Sequence, residues 1–359
     1  MAKIGTTTIN FTQLATTLME RSERGTVFLI VNEETGKAKA EKYTDSTQLE
    51  DSSYSEDNTK YIKDALRQGA YEVYVLAIDT TTNTLAKALK TIKTIKKTGY
   101  ITIAEGTSEQ YADLASWIKA QEKLHFTYKA VVFNVKGQDS MHIINFTTAK
   151  VKFDDERGEK EGNAFLPTLT AILASCNVNG GVAGHICSSL NDCELKEDED
   201  TATTAGEIFL TLDEGNVVIS TAVNSLTTLN GNTKTEDMQY IETVEAMDMI
   251  ADDIRDTFNS VYKNKYKNKY QNQLLFIGAV VDYFRQLANV DVLDSEYSNT
   301  AEIDVEEQRN TWVASGKSEA TEWDDNKVRS MTYKRSIFLK GDIKILGCMD
   351  SLTFNIAMV

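Results

Sequence analysis

The spacing of apolar residues divides the chain into a part where strands and helices alternate and a later part built on two long helices. Short apolar, β-branched runs predict buried strands, and apolar residues that recur every three or four positions predict amphipathic helices. Strands are predicted at residues 26–31, 71–78, 100–104, 128–135 and 143–146. Helices are predicted at residues 58–68, 83–97, 108–123 and 166–176, the first two ended by Gly69 and Gly99. This alternation is typical of an α/β layer with mostly parallel strands.

Loops and one hairpin interrupt this layer. A charged loop is predicted at residues 154–161. A hairpin joins two predicted strands, residues 207–212 and 217–223, around Gly215, which suits a positive φ.

From Asp237 onward the apolar period becomes that of a helix. The first helix is predicted to place these apolar residues on one face: Ile241, Val244, Met247, Ala251, Ile254 and Phe258. Its acidic pair, Asp252 and Asp253, is assigned to the solvated face. The second helix, residues 273–288, is expected to be largely buried, with one face formed by Leu274, Ile277, Val281 and Phe284. Asn264 is the predicted break between the helices because asparagine tolerates left-handed backbone, and residues 315–325 are predicted to be a polar, mobile connector.

Both chain ends show the alternation of period two that marks half-buried strands. The N-terminal stretch is Thr8, Ile9, Asn10 and Phe11. The C-terminal stretch is Leu352, Thr353, Phe354, Asn355 and Ile356, which follows a similar alternation from Ile337 to Ile345. A chain end is normally frayed unless something holds it. We therefore predict two arms that add strands to the sheets of neighbouring molecules.

Composition argues against several classes of partner. The net charge of −16 disfavours binding to nucleic acid or to an anionic membrane. No window approaches the roughly 18 uninterrupted apolar residues of a membrane span, and Met1–Ile4 predicts no signal peptide. The length of 359 residues favours about two domains. Four cysteines in such a chain predict reduced, buried thiols in a cytoplasmic product.

No motif in the sequence calls for a metal, a cofactor or catalysis. The glycine-rich loop Gly180–Gly184 follows a helix and lacks a Lys-Ser/Thr pair, so a tight turn is expected there and not a phosphate site. The acidic run Glu194–Asp200 lacks the spacing of a calcium loop and is expected to be solvated. His185, Cys187 and Cys193 fit no zinc module. We therefore expect no cofactor, no metal site and no catalytic residue.

The C-terminal third carries a resemblance to a known family. The residues are Tyr262, Lys265, Asn268 and Tyr270, then 275–279, 283–284, 287, 292–294, 299–305, 341–346 and 352–356. Further matches lie at residues 9–11, 20–25, 205–208 and 219–226. Together they resemble the sheath proteins of contractile phage tails and phage-tail-like bacteriocins, of the short type found in Gram-positive phages. The resemblance is dense from Asp237 and thin between Glu33 and Leu166, and Asn264 stands where the family usually has glycine.

The resemblance implies a fold of the α+β and α/β kind. In that fold a C-terminal α+β core domain, residues 229–348, carries an inserted outer α/β domain, residues 25–228. Residues 1–24 form the N-terminal arm and connector, and residues 349–359 form the C-terminal arm strand. The arms of such proteins join subunits by strand exchange.

The resemblance also implies a structural protein and not an enzyme. Sheath subunits stack as hexameric rings around an inner tail tube. They contract from a metastable extended state, which drives the tube through a target cell envelope. The implied partners are further copies of the chain, the tube protein, the baseplate and tail terminator proteins, without nucleic acid or membrane insertion. The implied location is the assembled tail or tail-like particle, after synthesis in the bacterial host cytoplasm.

Four lysines between the two C-terminal helices form a basic cluster: Lys263, Lys265, Lys267 and Lys269. The neighbouring Tyr262, Tyr266 and Tyr270 are expected to pack inward. Because the resemblance implies that the core domain lines the sheath lumen, the lysines are a candidate contact with an acidic tube surface. The alternative is that they complement the helix dipole and face water. For the whole protein, the alternative is an α/β enzyme or ligand-binding protein with a dispersed site.

Overall fold

The computed structural model of the protein describes residues 19, 21–37, 39–50, 52–176, 178, 180–350, 352–354 and 356. Its internal contacts divide the chain into two units. The α/β unit comprises Glu23–Met249 and Gly347–Val359, and the helical unit comprises Met1–Ser22 and Ile250–Leu346. Among the residues described, no helix has the length and apolar character needed to cross a membrane.

A seven-stranded sheet forms the centre of the α/β unit. Its strands are β1 (Thr26–Asn32), β2 (Glu41–Tyr43), β3 (Glu72–Ile78), β4 (Thr98–Ile103), β5 (Thr127–Phe133), β6 (Ile143–Phe146) and β10 (Glu207–Ile208), in the spatial order β10-β6-β5-β4-β1-β3-β2. All neighbours are parallel except β2, which runs antiparallel to β3. β1 is buried at six consecutive positions, as expected of a parallel strand covered on both faces. Both edge strands are short, which limits unwanted pairing at the sheet edges.

The remaining elements of this unit surround the sheet. The helices are α1 (Glu56–Arg67), α2 (Leu85–Ile95), α3 (Ser108–Glu122), α4 (Leu166–Cys176) and α5 (Glu199–Thr204). A three-stranded antiparallel sheet contains β7 (Lys150–Phe153), β8 (Glu159–Glu161) and β9 (Leu190–Cys193), and a hairpin contains β11 (Leu210–Asp213) and β12 (Asn216–Ile219). The predicted α/β alternation is confirmed, and so is the hairpin turn, where Gly215 has a φ of +84°.

Three local predictions for this unit were wrong. Gly99 does not end α2, which stops at Ile95; it lies inside β4, where a Cβ atom would approach the Phe28 ring to 3.0 Å. β8 begins within the predicted charged loop, and α5 begins within the acidic run, where the Asp198 carboxylate accepts from the Thr201 amide. Most charged side chains of both segments face water while part of the backbone is regular, so polarity alone did not reveal the element. Arg157 is the exception in the predicted charged loop, since its side chain is buried and pairs with Asp64 at 2.6 Å.

The helical unit contains two long helices and a two-stranded sheet. Its elements are the end of α6 (Ile241–Thr257), α7 (Tyr270–Ala288), β13 (Thr300–Ile303), α8 (Val305–Ala314), α9 (Asp325–Ser330) and β14 (Leu339–Asp342). A single π-helical stretch, Phe258–Tyr262, follows α6. Asn264 has a φ of +62°, which confirms the predicted helix break. The mixture of α/β and α+β architecture agrees with the predicted fold class.

α7 buries a different face from the predicted one. Phe276, Val280, Tyr283 and Leu287 are buried, together with the correctly assigned Phe284. In contrast, Leu274 is 44% exposed, and Ile277 and Val281 are only half-buried. Because apolar residues surround this helix, periodicity alone could not decide which face meets the core.

The predicted connector at residues 315–325 is instead part of a small core. Ala320, Trp323 and Val328 are buried there, and Trp312 packs edge-on against Trp323 with ring centroids 6.1 Å apart. A 3₁₀ turn, Ser318–Glu322, brings Ala320 and Trp323 inward. The two apolar side chains in an otherwise polar stretch were the signal that periodicity did not capture.

The acidic pair of α6 is buried, contrary to the prediction that it faces water. The Asp253 carboxylate accepts from the Tyr283 hydroxyl at 2.5 Å and from the Ser22 amide at 3.2 Å. Asp252 is also buried and pairs with Arg255. Conversely, Ala251, which was assigned to the apolar face, is exposed.

A buried ion network fixes the first half of α6 to the sheet of the α/β unit. Glu245 receives the Arg24 guanidinium Nε at 2.6 Å and the Lys129 ammonium at 2.7 Å. Its second oxygen also accepts from the Tyr100 hydroxyl at 3.1 Å. The side chains of Arg24, Lys129 and Glu245 are each at most 3% exposed. The network therefore joins α6 to β4 and β5 in a site without water access.

Asp248 extends this network to a histidine. The carboxylate contacts the Lys129 ammonium and lies 3.0 Å from Nε2 of His142. Nδ1 of His142 lies 2.8 Å from the Glu122 carboxylate at the end of α3. Burial by itself lowers the pKa of His142, but Asp248 and Glu122 outweigh burial and the opposing charge of Lys129, so the pKa rises to about 9. His142 is therefore a cation at neutral pH.

Arg24 and Lys129 act in the same way on Glu245. Burial alone would raise the pKa of this carboxyl, but the two cations hold it far below the ordinary range. The network thus contains three cations and three anions at neutral pH. None of these contacts was predicted, although Lys129 in the middle of an apolar strand was a signal that a buried anion lies opposite it.

The charge on His142 predicts a stability loss at alkaline pH. Its pKa is raised from 6.5 to about 9 in the folded protein, so its contribution is complete below 6.5 and disappears as the pH rises through 9. We expect the free energy of unfolding to fall by roughly 3 kcal/mol between pH 6.5 and 9.5. Urea unfolding at a series of pH values measures this change. His142→Gln should remove the dependence while the control His185→Gln keeps it; an unchanged slope in His142→Gln would contradict the assignment.

Trp323 should contribute strongly to the stability of the helical unit. Trp323→Ala removes the largest side chain of its small core, and we expect the free energy of unfolding to fall by about 3–5 kcal/mol. The matched control is Leu229→Ala at an exposed apolar position, which should change it by less than about 0.5 kcal/mol. Chemical denaturation measures both variants, and equal small effects would return residues 315–325 to the role of a connector.

Candidate assembly site

The C-terminal segment leaves its large apolar side chains uncovered. Met349 is fully exposed, Leu352 is 89% exposed, and Phe354 and Ile356 are each more than 70% exposed. Burying a side chain of this size from water is worth about 1.5–3 kcal/mol. These four exposed side chains all lie within residues 349–356 and therefore form the strongest candidate for a surface that another molecule covers.

No strand forms among the described residues of this segment, 347–350, 352–354 and 356. None of these described residues therefore belongs to a sheet of its own chain, and the pairing predicted for Leu352–Ile356 with a neighbouring molecule stays a prediction. The predicted N-terminal arm residues, Thr8, Ile9, Asn10 and Phe11, lie outside the described residues.

The root of the C-terminal segment borders a groove of about 710 Å³ in the α/β unit. Gly181 of the glycine-rich loop donates its amide to Sγ of Cys348 at 3.0 Å. This loop therefore positions the segment, and a Cβ atom at Gly181 would stand 3.6 Å from the Cβ of Cys348, an ordinary van der Waals contact.

Glu242 lies in the same groove and faces Asp350 of the segment. Burial raises the pKa of Glu242, and the charge of Asp350 raises it further, while the Cys348 amide opposes the shift. One oxygen of Glu242 is buried without a hydrogen-bond partner. The like charges disfavour tight attachment of the segment to its own body at neutral pH.

The two-stranded sheet of the helical unit has open edges. β13 and β14 pair antiparallel with each other from Thr300–Asp342 to Ile303–Leu339, and among the described residues neither belongs to a larger sheet. The Phe284 ring of α7 lies 3.9 Å from where a Cβ on Gly341 would stand, so α7 covers one face. An exposed edge of this kind accepts an added strand through its backbone groups.

The basic cluster follows the π-helical end of α6. Lys263, Lys265, Lys267 and Lys269 are all exposed, and none forms an ion pair with a carboxylate in the part of the chain that the structure describes. Lys265 donates to the Ser260 carbonyl of its own segment. The cluster therefore presents positive charge to the surroundings, while its contact with a tube stays a prediction.

The tyrosines beside these lysines do not all pack inward as expected. Tyr262 is buried and its ring centroid lies 4.8 Å from that of Phe276. Tyr266 is 48% exposed, its ring is tilted against that of Tyr262 with centroids 5.3 Å apart, and Tyr270 is half-buried. The prediction for Tyr266 was wrong because Asn264 turns the backbone and carries Tyr266 outward.

Asn268 holds the basic cluster in place, a role that the sequence did not reveal. Its amide donates to the carbonyls of Tyr333, Lys334 and Ser336 at 3.2, 3.3 and 2.9 Å. It also accepts from the Gln273 amide at 2.8 Å. The only sequence signal for this role was that Asn268 belongs to the motif that resembles the sheath proteins.

The other candidate residues do not assemble into a reactive site. His185, Cys187 and Cys193 lie in the α/β unit, and burial raises the pKa of the two thiols to about 12 and about 11. No group of three or more His, Cys, Asp or Glu residues suited to a metal ion occurs among the residues described. All four cysteines are free thiols.

Comparison with known proteins gives these surfaces a context. Residues 233–358 match the family described as phage tail sheath C-terminal domain. The whole chain is 27% identical over 374 residues to the tail sheath protein of Clostridium phage phiCD119, and the match covers 100% of both sequences.

Two solved structures share the fold. The sheath tail protein of Desulfitobacterium hafniense superposes with a TM-score of 0.67 at 13% identity, over 83% of this chain and 94% of that protein. The contracted helical sheath of the anti-feeding prophage gives a TM-score of 0.70 at 10% identity, over 100% of both chains. The resemblance inferred from the C-terminal motifs is therefore confirmed: residues 233–358 match the phage tail sheath C-terminal domain, and the chain is similar over its whole length to a phage tail sheath protein.

Proposed function

We propose that this protein polymerises as stacked hexameric rings around an inner tail tube and contracts from a metastable extended state. The whole-length similarity to a phage tail sheath protein carries this proposal. Contraction drives the tube through a target cell envelope, and the energy is stored in subunit packing, without nucleotide hydrolysis or other catalysis. The sheath meets the baseplate at one end and tail terminator proteins at the other. Its subunits are made in the host cytoplasm and end in the tail or tail-like particle.

The domains have separate places in this proposal. Residues 229–348 form the core that lines the lumen, and residues 25–228 form the outer domain. Residues 1–24 and 349–359 are the arms and connector that join subunits. The open sheet in the helical unit and the uncovered C-terminal segment support this division.

The C-terminal arm joins subunits by strand addition. Leu352–Ile356 pairs with an open edge of β13–β14 in a neighbouring copy, where its backbone groups find hydrogen-bond partners. Each added hydrogen bond contributes about 0.5–1.5 kcal/mol, and burial of Leu352 and Phe354 contributes about 1.5–3 kcal/mol each. Because donor segment and acceptor edge are different surfaces, the contact repeats from copy to copy.

The basic cluster is the proposed contact with the tube. Its four uncompensated lysines meet an acidic tube surface. Exposed ion pairs contribute only about 0.2–1 kcal/mol each, which suits contacts that must separate during contraction. Their repetition around each ring makes the sum sufficient to hold the extended state.

Electron microscopy of the purified protein tests the function directly. A sheath protein forms long hollow cylinders. A small discrete oligomer at every concentration and salt tested would instead favour an α/β enzyme or a ligand-binding protein, and would overturn the proposal.

Removing either arm should prevent polymerisation without preventing folding. Deletion of residues 349–359 removes the side chains that the neighbour would bury, and deletion of residues 1–12 removes the N-terminal strand. We expect both variants to sediment as single subunits with wild-type circular dichroism. Wild-type cylinders from either variant would exclude strand exchange through that arm.

A side-chain comparison separates strand addition from loss of chain length. Leu352, Phe354 and Ile356 share one face of a strand, and Thr353 lies on the other. The triple variant Leu352→Asn, Phe354→Asn, Ile356→Asn should fail to polymerise, while Thr353→Ala should polymerise normally. Equal behaviour of the two variants would contradict a strand with one buried face.

Replacing the four lysines of the basic cluster by glutamine should weaken co-assembly with the tube and favour premature contraction. The reason is the loss of all positive charge at this surface, and high salt should do the same to the wild type. The matched control replaces four scattered exposed lysines, Lys39, Lys123, Lys136 and Lys152, by glutamine. The yield of extended, tube-filled tails is counted by electron microscopy. If the variant with four glutamines gives as many extended, tube-filled tails as the wild type, the lysines face water and do not contact the tube.

A further inference from the structure

α2 carries a row of uncompensated positive charge. Lys87, Lys90 and Lys93 are exposed at intervals of three residues, and exposed Lys97 follows just beyond the helix end. Helical geometry places residues three apart on neighbouring positions of one surface. Lys87 donates to Asn83 Oδ1, and Lys93 and Lys97 lie over the Phe126 ring. None of the four pairs with a carboxylate among the described residues. We call these four lysines the basic face.

The basic face does little to stabilise its own helix, since only Lys93 lies in the last turn, where the helix dipole favours a cation. α2 contains no acidic residue, and Lys87 stands in its first turn, where the helix dipole disfavours a cation. Like charges three or four residues apart on a helix surface repel each other. In contrast, α1 and α3 place Glu56, Asp57 and Glu109 in their first turns. Folding of the isolated chain therefore does not explain the charge pattern of α2.

A second exposed patch of the α/β unit has the opposite charge. We call residues 192–200 the acidic segment: its exposed acids are Asp192, Glu194, Glu197, Asp198, Glu199 and Asp200. The only lysine within it, Lys196, is neutralised by Glu207 at 3.2 Å. Leu195 lies among these acids and is 51% exposed. Leu195 therefore offers one apolar contact within an otherwise acidic surface.

We propose that the basic face of one subunit docks on the acidic segment of a neighbouring subunit in the assembled polymer. This inference rests on the proposed sheath function. The two patches are of opposite sign, and within the chain no ion pair among the described residues joins them. Two different complementary surfaces make a head-to-tail contact, which is the kind that extends into rings and helices.

Charge also favours a second copy as the partner. Each subunit has a net charge of −16, so copies repel one another unless opposite patches meet. Alignment of the basic face with the acidic segment converts part of this repulsion into attraction and fixes the register between subunits. In this contact the exposed side chain of Leu195 packs against the methylene groups of the lysine side chains.

Charge reversal tests the pairing. The basic variant carries Lys87→Glu, Lys90→Glu and Lys93→Glu, and the acidic variant carries Glu194→Lys, Glu197→Lys and Asp200→Lys. These acids were chosen because Asp198 and Glu199 hold Thr201 and Thr211 within the chain. Each variant should raise the lowest concentration that supports polymerisation about tenfold. The combined variant should return to within about threefold of the wild type, because the pairs are restored with inverted polarity.

The control separates pairing from net charge. Lys123→Glu, Lys136→Glu and Lys152→Glu change the net charge equally at scattered exposed sites. We expect this control to polymerise at nearly the same concentration as the wild type. Combining its substitutions with those of the acidic variant should not restore polymerisation. In 1 M salt the difference between the basic variant and the wild type should shrink. Sedimentation and electron microscopy measure polymerisation, and circular dichroism verifies the fold.

Each outcome decides one question. If the wild type forms cylinders and the charge-reversal variants polymerise at the same concentration, this inference is wrong while the proposed function stands. If the basic and acidic variants each polymerise poorly and the combined variant does not recover, each patch contacts a surface other than its proposed partner. That result also overturns the pairing. A wild type that never polymerises would overturn the proposed function, and this inference with it.

Discussion

The fold of the α/β unit depends on one buried set of charges. Arg24, Lys129 and His142 face Glu122, Glu245 and Asp248 beneath the first half of α6. Removing an ion from water costs several kcal/mol, and mutual attraction repays this cost only when every partner is present. Such a network tolerates one arrangement of α6 on the strands β4 and β5. A shift of the helix by one residue would leave a buried charge unpaired, whereas an apolar contact would tolerate it.

The same principle separates the inside of this protein from its outside. The charges of the buried network are balanced group by group, and the buried Asp253 accepts from a tyrosine hydroxyl and a backbone amide. Several exposed groups are not balanced: the basic cluster, the basic face and the acidic segment. A monomeric protein has no need to sort its surface charge in this way. In a polymer of identical subunits, unbalanced patches select the register, and each remains weak enough to break.

Apolar residues follow the same division. The seven-stranded sheet buries six of the seven residues of its strand β1, and its short edge strands offer little backbone for pairing. The C-terminal segment does the opposite, since it exposes Leu352 and Phe354, and its described residues form no strand. Glu242 and Asp350 repel each other at the root of this segment. The arrangement favours a segment that binds another molecule over one that folds back on its own chain.

The sequence alone determined the local elements and the similarity to tail sheath proteins. Strand and helix patterns in the α/β unit, the break at Asn264 and the glycine turn at Gly215 follow from local steric rules, which a sequence displays directly. Motifs around Tyr262–Tyr270 sufficed for the resemblance. Tertiary structure decided what periodicity leaves open: which side of the apolar helix α7 is buried, and that Trp323 anchors a core. It also decided that Asp253 and Lys129 lie inside, because a buried charge is permitted only by partners far away in the chain.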